Sequence, residues 1–497
     1  MRGAACVSLA VLATVGVVGS TASAAGLGWH VMPVRNLGRR IGNPQVAAVN
    51  RTGASVVAFA SGSSLTLVRR TAHASKFKVA GRISARRPLV LNLTALADGR
   101  FLLVYAAGGR LLARSVDAAG RFAGTARLLA TGYTIPLADT IPLVVVDSDA
   151  TRTVVVWGAV NGTTGEVVGA VDDQAGWSSP KILLQAPADK LFIPQLVHDS
   201  RDRFFASVHG ANGDTTSVMW ALGAGSQQWG QITPPEATDG SGIASYNGAT
   251  LASLNGTITA AWQDASAALV VSTWDGSSWS TPERAISASY ASNGLPAVIY
   301  PIFVSDGSRA AIVWSDNSNG PLGPVKATIR ASSTDSWSAP LVFPHARGLL
   351  PGYPDPPEDA FWFTASGELA GVWAGNPLKG STSNGFYFAG LYVGHVGPNG
   401  SSATALSRTQ PNNGRYWFVL PSAAGLHTIV WAGGKGREYS TVVTANGAVR
   451  PKQLLPACAF PGPAASNPDA SAQVMAFSNN TGPVGAPGSK CPAVLLW

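Results

Sequence analysis

The apolar residues of this chain fall in short runs of β-branched and aromatic side chains, broken by Asp-Gly, Asn-Gly and proline. Thr259–Ile286, TAAWQDASAALVVSTWDGSSWSTPERAI, shows the rule. An apolar run closes on Trp262, a second covers Ala267–Thr273, and a third begins at Trp279 after the turn Asp275-Gly276-Ser277-Ser278. With Gly248–Leu254 before them, these make four strands in one unit. No capped run of helical length repeats its apolar positions every 3.6 residues.

The unit recurs. The aromatic or apolar residue closing its second strand returns at Phe59, Tyr105, Trp157, Val208, Trp262, Trp314, Trp373, Trp431 and Phe477, at spacings of 46, 52, 51, 54, 52, 59, 58 and 46 residues. A period near fifty marks stacked repeats. Four strands per period predict an all-β fold, a β-propeller of four-stranded blades. The blades are expected near 42–84, 88–130, 139–185, 192–233, 243–287, 296–343, 358–407 and 415–455. The segment 472–497 adds two strand-like runs, and Trp29–Leu37 resembles a fourth strand. Pairing these N- and C-terminal strands would close the ring, giving eight or nine blades in one domain over 25–497.

Residues 1–24 read as a secretory signal peptide, with Arg2 ahead of the apolar Ala4–Val18 and the small residues Ala22-Ser23-Ala24 at the cleavage point. The chain is therefore expected to be secreted and extracellular. No later stretch is apolar enough for a membrane-spanning helix. Beyond the signal only Cys458 and Cys491 remain, and in an oxidising compartment they are expected to form a disulfide around a Pro/Gly-rich stretch. Only 12% of residues are charged, against 56 Gly, 33 Pro and 15 Trp, which suits turns and loops without helices.

Three turns, STWDGSSW (272–279), VDDQAGW (171–177) and SSTDSW (332–337), resemble the S-x-D-x-G-x-x-W repeat of Asp-box, sialidase-like propellers. None matches it in full, since the first lacks a residue between Asp275 and Gly276 and the third has no glycine. The resemblance implies the fold. A sialidase activity would also need the opening Phe/Tyr-Arg-Ile-Pro motif, which is missing, Arg35 being the nearest approach.

Other catalytic constellations are equally absent. The seven histidines show no metal-ligand spacing, and there is no nucleophile elbow or phosphate-cradling loop. Asp147-Ser148-Asp149 and Asp172-Asp173 fall where turns are expected and read as solvated turn residues. No metal and no cofactor is expected.

Loop length picks a functional face. Short polar turns join strands one to two and three to four, while the other loops are long and carry prolines and aromatics. The long-loop face would hold Tyr290, Tyr300, Tyr353, Trp362 and Tyr416 as candidate ligand-stacking residues. Its segment Gly352–Phe363 adds Asp355, Glu358 and Asp359, the weak candidates for acid/base chemistry. Phe361 and Phe363, in contrast, read as the start of a blade's innermost strand.

Charge picks a second region. Residues 26–130 carry 16 Lys and Arg but only Asp98 and Asp117 as acids. The dense points, Arg39-Arg40, Arg69-Arg70 and Arg86-Arg87, suggest a patch for anionic surfaces or polymers. The sequence thus favours a secreted, non-catalytic, monomeric binding or scaffold propeller for extracellular or cell-surface saccharide, with nucleic acid not expected as a partner. A glycan-acting hydrolase or lyase, and a structural exported protein gripping a protein partner, are the alternatives.

Overall fold

The computed structural model describes residues 30–32, 44–131, 144–187, 192–210, 217–235, 249–287, 298–347, 360–377, 388–407, 417–420, 426–432, 438–455, 461–466, 473–477 and 494–496, apart from 62, 73, 75, 87, 174, 317, 319–322, 333 and 334. They form strands and turns with no α-helix among them. The signal-peptide expectation at 1–24 lies outside the described residues.

The chain is a β-propeller, and among the described residues it has nine blades, each an antiparallel meander of four strands. Blade 1 consists of Pro44–Val49, Ser55–Ser61, Ser64–Arg70 and Lys78–Ser84. Blade 2 consists of Leu89–Ala95, Phe101–Ala107, Arg110–Val116 and Arg127–Thr131. Blades 3 and 4 cover 144–187 and 192–232, blade 5 covers 250–286, and blades 6, 7 and 8 cover 298–347, 361–407 and 417–454. In blade 3 the outer strand is split into Gly176–Trp177 and Lys181–Pro187. Blade 9 is composite. Pro461–Ser466, Gln473–Phe477 and Val494–Leu496 are joined by His30–Met32 from the other end of the chain, in the order first, second, third, N-terminal. His30, Val31 and Met32 pair with Leu496, Leu495 and Val494. The first strand of blade 1 packs against Pro461–Ser466 and Gln473–Phe477, which makes the first and last blades neighbours.

The hydrophobic core lies between blades. Along the second strand of blade 2, Leu102 and Val104 join a cluster with Val155 and Trp157 of blade 3, while Leu103 and Tyr105 face blade 1. Blade 3 repeats this, with Val154 and Val156 turned to Phe204 and Val208 of blade 4. Side chains alternate across a strand, so a strand covered on both faces reads as an unbroken apolar run. The periodic residue that closes each second strand has a constant job. Tyr105, Trp157, Val208, Trp262, Trp314, Trp373 and Trp431 all project into the cluster shared with the preceding blade, and all are buried.

The outer strands start late because of a recurring Trp-Ser-x-Pro sequence. After Trp177, Trp279 and Trp337, the hydroxyls of Ser178, Ser280 and Ser338 each accept the strand-three amide of Val171, Thr273 or Ile329 at 3.0 Å. Each serine amide in turn donates to the carbonyl of that same residue. A serine thus supplies a ladder bond just before a proline, two residues on, that has no N–H to give.

Several short turns of one face share a geometry in which the fourth residue has a positive φ and its amide closes back on the first. Gly99 (φ 86°) and Gly120 (φ 80°) are two of them. A Cβ on Gly99 would meet nothing within 4 Å, whereas one on Gly120 would lie 2.7 Å from Cβ of Arg69 in blade 1. We expect Gly99→Ala to cost the ~1–2 kcal/mol of a left-handed non-glycine residue. Gly120→Ala should cost clearly more, because blade 1 must also move. Chemical denaturation of the two variants measures both, and equal losses would contradict the close approach of blades 1 and 2.

Candidate functional site

Several turns on the short-turn face join neighbouring blades. In blade 2, Asp98 accepts the Arg100 amide at 2.9 Å and its guanidinium at 2.5 Å. The same device returns in blades 3, 4 and 6. Asp149 holds the amides of Thr151 and Arg152 and the Arg152 guanidinium. Asp199 holds Arg201 and Arg203, and Asp306 holds Ser308 and Arg309. An ionised carboxylate suits this role, since it can accept several N–H bonds at once.

Three of these arginines, Arg152, Arg203 and Arg309, then reach the next blade. Arg152 donates to the carbonyls of Gly223, Ser226 and Asp202 in blade 4 and lies over the Phe204 ring. Arg203 donates to Gly276 of blade 5 at 3.2 Å, and its guanidinium lies 5.8 Å from the Phe205 ring centroid. Arg309 donates to Thr364 of blade 7 and covers Phe363. In blade 1 the neutral Asn50 does the same work, donating to Gly99 and Ala118 of blade 2.

These contacts revise the solvated-turn expectation for Asp147 and Asp149. Both are buried, at 5% and 7% exposure. Burial alone would raise the Asp149 pKa, but the amide and hydroxyl of Thr151 and the amide and side chain of Arg152 outweigh it and hold the group below the usual carboxylate range. Asp147 accepts from Nδ1 of His198 at 2.8 Å. The signal for these staples was an Asp followed by Arg two to four residues later, recurring at the same turn.

The Asp-box-like turn of blade 5 is likewise structural. Asp275 accepts the amides of Ser277 and Ser278 and both their hydroxyls, which brings its pKa down to about 2. It sits between Trp274 and Trp279, whose rings meet edge-on at 5.4 Å. The indole N–H of Trp279 donates to Thr233 of blade 4.

Of the candidate residues on the long-loop face, Tyr290, Tyr353, Asp355, Glu358, Asp359 and Tyr416 lie outside the described residues, as do Cys458 and Cys491. Tyr300 belongs to the strand Val298–Ser305, the innermost of blade 6. Trp362 is in the innermost strand of blade 7, Phe361–Phe363. Its ring is 7% exposed and stacked on the His427 imidazole of blade 8, with centroids 4.0 Å apart and planes 12° apart. Phe361 and Phe363 point the other way, into the cluster shared with blade 6. Trp362 is therefore a core residue between blades 7 and 8, and it offers no open face for stacking on a ligand.

In the basic region, Arg39, Arg40 and Arg87 lie outside the described residues. Arg69 is half-buried and donates to the Ala119 carbonyl of blade 2 at 2.6 Å. Arg70 is half-buried and donates to Ala74, and burial lowers its pKa. Arg86 is exposed.

The other described acids have mostly found partners. Asp117 pairs with Arg121, Asp264 with Arg284, Glu283 with Arg330 and Asp316 with Lys326. Asp172 is half-buried, which pushes its pKa up against the opposing charges of Arg100 and Arg127. Among the described residues no group of three or more His, Cys, Asp or Glu is gathered as a metal centre, and no helix is long and apolar enough to cross a membrane.

No family model matches this chain, and no curated protein matches it in sequence. Among solved structures it is similar to the Dos1 propeller, at 10% identity and a TM-score of 0.42 over 94% of each chain. It is also similar to the WD40 domain of SCAP from fission yeast, at 8% identity and a TM-score of 0.39, covering 94% of this chain and 97% of that one. The BP39L lectin from Burkholderia pseudomallei is similar at 14% identity and a TM-score of 0.37, over 84% of this chain and 100% of the lectin. The likeness is one of fold.

His198 gives the network a pH dependence. Burial pushes its pKa down, but the hydrogen bond to Asp147 and the charges of Asp147, Asp149 and Asp202 together push it above the ordinary value. A histidine raised on folding stabilises fully below its unfolded value of about 6.5, and that contribution is lost as pH rises through the folded value. Thermal midpoints taken from pH 5.5 to 8.5 should therefore carry a falling component in the native protein that His198→Gln removes. Identical pH profiles for the two would show that the contact of blades 3 and 4 does not depend on the imidazolium.

Proposed function

We propose that the chain is an exported, non-catalytic binding or scaffold propeller that takes an extracellular or cell-surface saccharide on its long-loop face. The observation that carries the non-catalytic reading is the engagement of the described carboxylates. Asp98, Asp117, Asp149, Asp199, Asp275 and Asp306 hold their own turns, and Asp147, Asp264, Glu283 and Asp316 are paired. Hydrolysing a glycosidic bond ordinarily takes two carboxyl groups flanking it, about 5–9.5 Å apart. An acid already bonded to several amides and an arginine is held as a carboxylate and is poorly placed to deliver a proton. Several turns of the short-turn face hold blades together, which favours the opposite face for a ligand.

The test is a glycan array run beside chromogenic glycosides, with Tyr353→Ala and with Asp355, Glu358 and Asp359 changed together to Asn or Gln. We expect the native protein to bind at least one glycan without turnover, and Tyr353→Ala to lose that binding by about tenfold or more, as an aromatic anchor does. Turnover that disappears in the carboxylate variant would overturn the reading in favour of the glycan-acting enzyme. Neither binding nor turnover would remove the saccharide and favour a protein partner.

A further inference from the structure

The cations of blades 1 and 2 fall into groups. Arg69 joins blades through the Ala119 carbonyl, while Arg100 and Arg121 are paired within blade 2, where they close the turns of Asp98 and Asp117. A further group is presented outward. The outermost strand of blade 1 is Lys78–Ser84, with Lys78 and Arg82 exposed, and Arg86 continues the line just beyond it. Among the described residues none of these three forms an ion pair. The line they follow, bulged between Val79 and Gly81, runs on the order of 25 Å at about 3.3 Å per residue, and pairing with the third strand puts Lys78, opposite Arg69, and Arg82, opposite Thr66, on the two sides of the outer strand.

A fourth cation stands beside the line. The Arg114 guanidinium of blade 2 lies 4.2 Å from the Phe122 ring centroid. Phe122 in turn packs on Gly81 so closely that a Cβ there would lie 2.5 Å from the ring. Arg114 is thus fixed beside Gly81, on the side of the blade 1 outer strand that carries Lys78 and not on the side of Arg82. Its Nη2 donates to the Gly124 carbonyl at 3.2 Å, while its Nε is buried and has no hydrogen-bond partner.

Edge strands often carry a lysine or arginine that blocks edge-to-edge pairing, but elsewhere on this rim one such charge suffices or is compensated. In blade 5 the outer-strand residues Glu283 and Arg284 are paired with Arg330 and Asp264. In blade 3 Lys181 lies over the Trp220 ring. Blade 1 alone among these has two unpaired cations on its outer strand and a third two residues beyond it, in a part of the chain whose only two acids are both already paired with arginines.

We infer that this rim is a docking track for an extended acidic polymer, a polysaccharide bearing repeated carboxylate, sulfate or phosphate groups. Cations on both sides of an exposed edge strand reach a polymer laid along that edge, each meeting an anionic group. A lipid surface is the less suitable partner. Binding in the interface of a bilayer draws on apolar side chains that enter it, and the large apolar residues exposed among the described residues are Leu128, Ile182, Val342 and Leu454, none of them on blade 1. The track lies on the rim, so it is independent of any saccharide held by the long-loop face.

The experiment immobilises dextran sulfate and polygalacturonate, with neutral dextran as the control matrix. The full chain is applied, and vesicles containing phosphatidylglycerol are tested in parallel. The native protein should be retained on both acidic polymers and not on dextran, with retention fading as salt rises. Changing Lys78, Arg82 and Arg86 together to Glu should weaken polymer binding by about 100-fold or more, given roughly tenfold or less per cation removed and further repulsion from each new acid. If that variant melts early, the Gln version is used, for which a loss of at least about tenfold is expected. Arg69→Gln, which removes a blade contact rather than a track residue, should lower stability and leave polymer affinity nearly unchanged. The inference is overturned by unchanged affinity in the triple variants, by absence of polymer binding in the native protein, or by binding to the anionic vesicles alone.

Discussion

Everything in this molecule depends on second strands that are covered on both faces. Leu102 and Val104 look toward blade 3 while Leu103 and Tyr105 look toward blade 1, and no blade can bury both sets alone. A fully buried side chain of this size is worth about 1.5–3 kcal/mol, and the aromatic wedges are larger. Trp157, Trp262, Trp373 and Trp431 are all fully enclosed at the seam with the preceding blade. Stability therefore belongs to the seams, as in other stacked repeats. An odd blade made from both chain ends is a natural outcome, because a seam left uncovered would expose an apolar sheet face.

The polar staples follow from the same constraint. Where turns of adjacent blades meet, their carbonyls leave solvent and need donors. Arginine supplies several from one side chain, and the aspartate one turn back fixes its direction while neutralising its charge. With the side chains of Arg152 and Asp149 only 2% and 1% exposed, the pair is effectively interior. Truncating Arg152 alone would leave a buried carboxylate unmatched, which is more damaging than losing both groups. The staples on the short-turn face are consequently structural.

The seams were legible in the sequence because burial on both sides leaves unbroken apolar runs, and the same wedge returns about every fifty residues. The composite blade was legible as one of two alternatives, from the resemblance of Trp29–Leu37 to an outer strand. The staples were not legible as structure. Asp149 and Arg152 look like any polar turn, and only Gly223, Ser226 and Asp202, more than fifty residues away for the most part, make them interior. Trp362 was misjudged for a related reason. Beside the acidic, proline-rich 352–359 it looked like a loop aromatic, but a strand held between blades 6 and 8 buries Phe361, Trp362 and Phe363 alike. The charge-dense pairs at 69–70 and 86–87 were visible. Which cations are spent on contacts, and which face outward, depends on how blade 2 packs.

The nine-blade arrangement stands or falls on the pairing of the two chain ends. It is tested most directly by disulfide trapping of Val31→Cys with Leu495→Cys, which are register partners, in a background where Cys458 and Cys491 are serine. A composite ninth blade predicts an intramolecular bond in the monomer under mild oxidation, found by mass analysis as a cross-linked peptide pair, and none when Val31→Cys is combined with a cysteine at Val49 or Ser84. Free thiols in the Val31/Leu495 protein, or cross-linked dimers only, would contradict the joining of the two ends in one blade.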